Sequence, residues 1–160
     1  MLVPAQLYEE EIQTGLIACW YQPKYSYYFS GEYNHFELAD NGYWRRDYAH
    51  INSEGECDGY FGYAFNETDK SMRNFGLISF ADNGMALLAD VKEHMKKMLG
   101  GIAQRAEFFV YADNPVLRIY QRFIKCYGGR QVGYLTRSSY FDGEYHDAII
   151  FEILKEEFKA

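Results

Sequence analysis

Between Asn74 and Tyr111 the spacing of apolar residues changes period twice, and that change restricts the chain to few architectures. Asn74–Phe80 reads as a strand. Met85, Leu88, Val91 or Lys92, Met95 and Met98-Leu99 then recur at helical spacing, with Asp90, Glu93, Lys96 and Lys97 elsewhere. Asn83 can cap this helix, Met85–Leu99, and Gly100-Gly101 stops it. Glu107–Tyr111 follows, its Phe108-Phe109-Val110-Tyr111 core a continuous apolar run of the kind buried on both faces. A helix between two strands is long enough to make them parallel neighbours.

The flanking segments predict antiparallel pairing. Trp44–Asn52 and Gly59–Phe65 are strands separated by short turns at Ser53–Glu56 and Asn66–Asp69, too short for a parallel crossover. After Asp113-Asn114-Pro115 comes a second amphipathic helix with Val116, Ile119, Tyr120, Phe123 and Tyr127 on one face, ended by Gly128-Gly129. Two last strands, Gln131–Phe141 and Glu144–Leu154, are joined by Asp142-Gly143, a strong hairpin signal. At the other end, Pro4 followed by Ala5–Ile12 reads as a helix start, with Leu7, Tyr8, Glu11, Ile12 and Leu16 giving its face. Trp20–Asn41, rich in tyrosine, is too apolar for a free loop and is expected to be an ordered connection covering one side of the core. The expected fold is α/β (α+β): one domain, 1–160, with a mixed, mostly antiparallel sheet flanked by helices.

Composition excludes several functions. The 160 residues carry a formal charge of −7, which opposes an electrostatic grip on nucleic acid. Cys19, Cys57 and Cys126 form neither a disulfide framework nor a C-x-x-C knuckle, which implies a reducing compartment. No signal peptide or membrane-length apolar run is visible, so the expected location is the cytoplasm and no membrane partner is expected. His50, His94 and His146 show no ligand spacing with Cys, Asp or Glu, so no metal is expected. Neither Gly-x-Ser-x-Gly nor a P-loop occurs.

The element order resembles the core of the GNAT N-acetyltransferases. Three pieces carry the likeness. Asp58-Gly59-Tyr60-Phe61-Gly62-Tyr63 is similar to that family's glycine-bearing third strand. Asn114-Pro115-Val116-Leu117-Arg118-Ile119-Tyr120 resembles its Asn-Pro-led helix, and Gly129-Arg130-Gln131-Val132-Gly133-Tyr134 resembles the start of its sixth strand. The likeness runs from about Arg45 to Glu156. It implies a parallel fourth and fifth strand that splay apart to admit acetyl-CoA, and acetyl transfer to a primary amine of a small molecule or protein.

By that resemblance, backbone groups of Ile78, Ser79 and Phe80 orient the cofactor, and Asn83 and Gly84 lie in the loop that holds its pyrophosphate. Asn114 contacts it or else caps its own helix. Tyr120 is the implied general acid, one residue earlier than the usual spacing, with Tyr127 as a fallback. Glu107, His35 and Glu37 are candidate bases. The loop itself departs from the family's Gln/Arg-x-x-Gly-x-Gly/Ala form: Ala81-Asp82-Asn83-Gly84-Met85-Ala86 has one glycine, no Arg and an Asp. The family's first strand is not visible either. A second reading therefore stands beside the enzyme: a catalytically inactive binding or interaction protein that keeps the fold. The resemblance leaves the acceptor and the oligomeric state open, a homodimer among the options.

Overall fold

The first strand is shorter than any period can reveal. In the computed structural model, which describes residues 1–20, 22–28 and 44–159, Leu2–Pro4 forms strand β1, paired antiparallel through Leu2↔His50, Val3↔Ala49 and Pro4↔Tyr48. Pro4 therefore closes a strand rather than opening a helix; proline is tolerated on such an edge because it owes the ladder no N–H. A single 3-10 turn at Ala5–Leu7 follows, and helix α1 spans Glu9–Cys19. Its buried residues are Ile12, Leu16 and Cys19, whereas Leu7 is exposed and Tyr8 only packs at the margin of the core. The helix begins after Tyr8, so Ile12 and Leu16 of the expected face are inside, whereas Leu7 and Glu11 are exposed.

The remaining order matches the periodicity. Strands β2 (Arg45–Ile51), β3 (Cys57–Asn66) and β4 (Ser71–Ser79) precede helix α2 (Met85–Gly100). Strand β5 (Arg105–Tyr111), helix α3 (Leu117–Tyr127) and the hairpin β6 (Arg130–Phe141) and β7 (Glu144–Leu154) complete the chain. Among the described residues these are seven strands of one mixed sheet, hydrogen-bonded in the order β1-β2-β3-β4-β5-β7-β6, with three helices. The β4–β5 ladder is parallel and the other registers are antiparallel. Asp142 and Gly143 both take positive φ, 51° and 85°, which is the two-residue turn that matches strand twist. No helix of the described residues is long and apolar enough to cross a membrane.

The chain forms two compact units. The first comprises Met1–Phe65 and Phe75–Met95. On one side of its strands Tyr60, Ala49, Ile51 and Ile78 pack with Ile12, Leu16 and Cys19 of α1. On the other, Phe61 and Tyr63 meet Phe75, Tyr48 and His94 of α2, and the Tyr63 hydroxyl lies 2.9 Å from His94 Nε2. The Asp47 side chain is buried beside Tyr60. The Asp47 carboxylate accepts from the Tyr60 hydroxyl at 2.5 Å and from Arg45 Nε at 2.9 Å, and Arg45 Nη2 donates to the same hydroxyl at 2.8 Å. That closed triangle offsets the cost of desolvating the carboxylate.

The second unit comprises Asn66–Asn74 and Lys96–Ala160. Its core is Ala106, Phe108 and Val110 of β5 with Ala148, Ile149, Phe151 and Ile153 of β7 and Ile124 of α3. Ser71↔Arg105 and Met72↔Ala106, the two registered pairs of the parallel ladder, lie inside this unit. Phe108 receives the rings of Tyr120 and Phe123 from α3, each edge-on at 5.9 Å. Val116 and Ile119, expected on the same helical face, are exposed instead.

Candidate active site

In the first unit the residues expected to face a cofactor gather at the end of β4. Ile78 is buried in the core. The Phe80 N–H donates to the Asp58 carbonyl at 2.8 Å, so that edge of the strand belongs to the sheet. Alternation turns the Ser79 backbone groups to the opposite edge. There the Ser79 carbonyl accepts the hydroxyl of Tyr25 at 2.8 Å. Tyr25 comes from the aromatic segment Trp20–Asn41, most of which, with His35 and Glu37, lies outside the described residues.

The loop into α2 is tied to the same strand. A Cβ added at Gly84 would sit 3.1 Å from Ser79 Cβ, close enough that loop and strand would have to part by a few tenths of an ångström. Asn83 Oδ1 accepts the Met85 N–H at 3.1 Å, the expected cap. Asp82 does not point into the loop: its side chain is fully exposed, with Lys24 Nζ 3.5 Å away.

In the second unit, Asn114 does what a capping residue does. Its Oδ1 accepts the Val116 N–H at 3.0 Å and its carbonyl accepts the Leu117 N–H at 2.9 Å. Ala112, Asp113, Asn114, Pro115, Leu117 and Arg118 line a concavity of about 430 Å³ at the head of α3. Tyr120 lies one turn further along. Among the described residues its hydroxyl has no hydrogen-bond partner, and burial pushes its pKa above the ordinary phenol value of 10.0. Burial therefore holds the phenol in its neutral form. Tyr127 is packed between rings instead: Phe123 at 4.8 Å and Phe158 at 6.1 Å. Glu107 is registered opposite Glu152 of β7.

One constellation escaped sequence reasoning. His146 of β7, Glu144 and Asp113 each bring one ring nitrogen or carboxylate oxygen to within 4.8 Å of the others. Asp113 and His146 are 33 residues apart, and only the β5–β7 pairing makes them neighbours.

No family model and no curated protein matches the sequence. Solved structures do match. A spermidine N-acetyltransferase from Vibrio cholerae, in complex with CoA and spermine, superposes with a TM-score of 0.75 over 98% of this chain and 96% of its own, at 17% identity. A Vibrio cholerae spermidine/spermine N-acetyltransferase with manganese ions gives 0.58 over 73% and 68%, at 18% identity. A protein described as a putative acetyltransferase gives 0.56 over 71% and 60%, at 21% identity. At such identities the likeness speaks for the backbone, and what it establishes is that this chain has the GNAT fold.

Proposed function

We propose that the chain is an acyl-CoA-dependent N-acetyltransferase acting on a primary amine of a small molecule or protein. The observation that carries this reading is the likeness over 98% of the chain to an acetyltransferase holding CoA and spermine. The parallel ladder of two pairs between β4 and β5 supports it. So does the outward turn of Asp82, which leaves backbone N–H groups and a helix N-terminus, rather than a carboxylate, to meet a phosphate. Ser79, Asn83 and Gly84 are the residues of the first unit that would hold the cofactor, because the Phe80 N–H is already committed to the Asp58 carbonyl. Bound, acetyl-CoA supplies the activated thioester. Tyr120 holds a proton on its hydroxyl that would pass to the leaving thiolate as the acyl group moves to the amine. A charge of −7 favours a cationic acceptor, and the polyamines of the structural neighbours are the first to try.

The second reading is a binding protein without catalysis. It is favoured by the Tyr25 hydroxyl on the Ser79 carbonyl, which occupies an acceptor on the unpaired edge of β4. One experiment separates the two. Melting is followed with CoA and acetyl-CoA, and acetyl transfer is measured on spermidine, spermine and other primary amines. A bound cofactor stabilises by about 2.7 kcal/mol at a hundredfold excess over its dissociation constant. Transfer is expected, and Tyr120→Phe lowers it about 10²–10⁴-fold with melting unchanged. Neither stabilisation nor transfer in the parent protein would establish the second reading. A lower melting point with unaltered transfer would assign Tyr120 to the core.

A further inference from the structure

His146 is the third residue of β7, and its side chain is 3% exposed. Nδ1 lies 2.7 Å from Asp113 Oδ2, and Nε2 lies 3.2 Å from the carbonyl oxygen of Phe141. Both partners are acceptors, whereas a neutral imidazole has a single N–H to give. A neutral ring can therefore make one of these contacts and must leave a lone pair against the other oxygen. Only the imidazolium makes both. Two carboxylates and two aromatic rings surround it. Asp113 faces it from the turn after β5 and Glu144 from β7, while the Phe141 ring of β6 stacks on it at 3.7 Å and Tyr111 of β5 stands edge-on at 6.1 Å.

We propose that His146 is a pH-dependent tie: protonated, it holds both Asp113 of the turn between β5 and α3 and the Phe141 carbonyl of the β6–β7 hairpin, and deprotonated it can hold only one of them, without its charge. The turn carries Asn114, the residue that caps α3, so the tie fixes the start of that helix and the wall of the concavity beside it. The inference stands whether or not the chain transfers acyl groups.

Burial by itself draws the imidazole pKa down. The hydrogen bonds to Asp113 and the Phe141 carbonyl, with the charges of Asp113 and Glu144, outweigh it and hold the group above 6.5. A group raised on folding gives stability that is complete below its unfolded pKa, about 6.5, and is lost as pH rises through the folded value. The turn is thus tied on the acid side and loosened on the alkaline side.

Nuclear magnetic resonance of the full chain tests this, with ring nitrogen shifts of His146 followed from about pH 5 to 9 in the presence of a chelator. Loss of the signal in His146→Gln assigns it. Both ring nitrogens are expected to be protonated on the acid side, with a midpoint above 6.5, and the backbone amides of Asn114 and Val116 should move with the same midpoint. Asp113→Asn should lower the midpoint and uncouple those amides; each unit of displacement corresponds to about a tenfold change in the strength of the tie. A midpoint at or below 6.5, or turn amides that ignore it, overturns the proposal. Should either variant fail to fold, the parent titration decides alone, because ring and turn are read in the same protein. Zinc chloride added near neutral pH, without chelator, should leave the ring spectrum unchanged. Displacement of the Nδ1 proton by zinc would replace the tie with a metal site and overturn it too.

Discussion

Strands β3 and β6 are of similar length and both carry tyrosines, but they spend them in opposite ways. In β3, Tyr60, Phe61, Tyr63 and Phe65 are all within 1% of complete burial. Helix α1 covers Tyr60 on one face, and α2 brings His94 against Phe61 and Tyr63 on the other. In β6, Tyr134 and Tyr140 are 53% and 62% exposed, and Val132 and Leu135 are exposed with them. Among the described residues β6 is the last strand of its sheet and pairs with β7 alone. Its ladder is irregular in two places, and Arg137 takes a φ of 52° at the second. There the Asp147 carboxylate accepts the Arg137 N–H at 2.7 Å and the Tyr134 hydroxyl at 2.6 Å. Bulges and charges of this kind are how a sheet discourages a stray strand from adding to its edge. Position in the strand order, rather than composition, decides which tyrosines hold the fold together.

The largest expected effect tests that contrast directly. Tyr63→Ala should cost about 3–5 kcal/mol in urea unfolding, as large aromatic truncations in a packed core do. Tyr140→Ala should stay within about 0.5 kcal/mol of the parent. Similar losses at both positions would break the comparison and show β6 to be covered in solution.

A smaller effect sharpens the β3 side. A methyl group at Gly62 would overlap both Asp47 Oδ1 and the Tyr60 hydroxyl, which are fixed by their own hydrogen bonds and cannot yield without opening the Arg45–Asp47–Tyr60 triangle. Gly62→Ala should destabilise by about 1–3 kcal/mol, the usual cost of overpacking. A neutral result would mean that the triangle is loose.

The smallest effect belongs to β6 and is one of pH. The Tyr134 hydroxyl, then the Arg137 N–H and the Arg137 charge, hold the Asp147 carboxyl below 3.8. A carboxyl lowered on folding contributes stability above its unfolded pKa, about 3.9, and loses it as pH falls through the folded value. Tyr134→Phe should therefore melt slightly lower than the parent near neutral pH, and the two curves should converge in acid. A gap that persists in acid would assign the effect to the ring rather than to the carboxylate.

Legibility in the sequence followed the length of the signal. The swing from period two to 3.6 and back between Asn74 and Tyr111 exposed a parallel strand–helix–strand unit, although the paired residues, Ser71-Met72 and Arg105-Ala106, lie just before the two segments it marked, and Asp142-Gly143 exposed the hairpin, because each is a local constraint. Leu2–Pro4 was misread for the same reason: three residues cannot show alternation, and proline suits the first turn of a helix as well as the edge of a sheet. On α3 the periodicity put Val116 and Ile119 inside, whereas the ring contacts of Phe108 select Tyr120 and Phe123. At the candidate site the caps Asn83 and Asn114 were legible, since a cap bonds to its neighbours two residues away. Tyr25 on Ser79 and Asp113 on His146 were not, because contacts 54 and 33 residues apart depend on strand pairing that no local pattern encodes.

The two compact units are interleaved along the chain: Asn66–Asn74 is lent to the second before the first is finished at Met95. β4 changes membership partway along its own length. During synthesis, Ser71 and Met72 leave the ribosome more than thirty residues ahead of Arg105 and Ala106, the partners they must wait for. The first unit can close once Met95 has emerged, while the second stays incomplete until β7 has been made. No single cut releases either unit as a continuous piece, so truncation cannot separate them. A recombination event that exchanges one half of this chain would have to carry β4 with both.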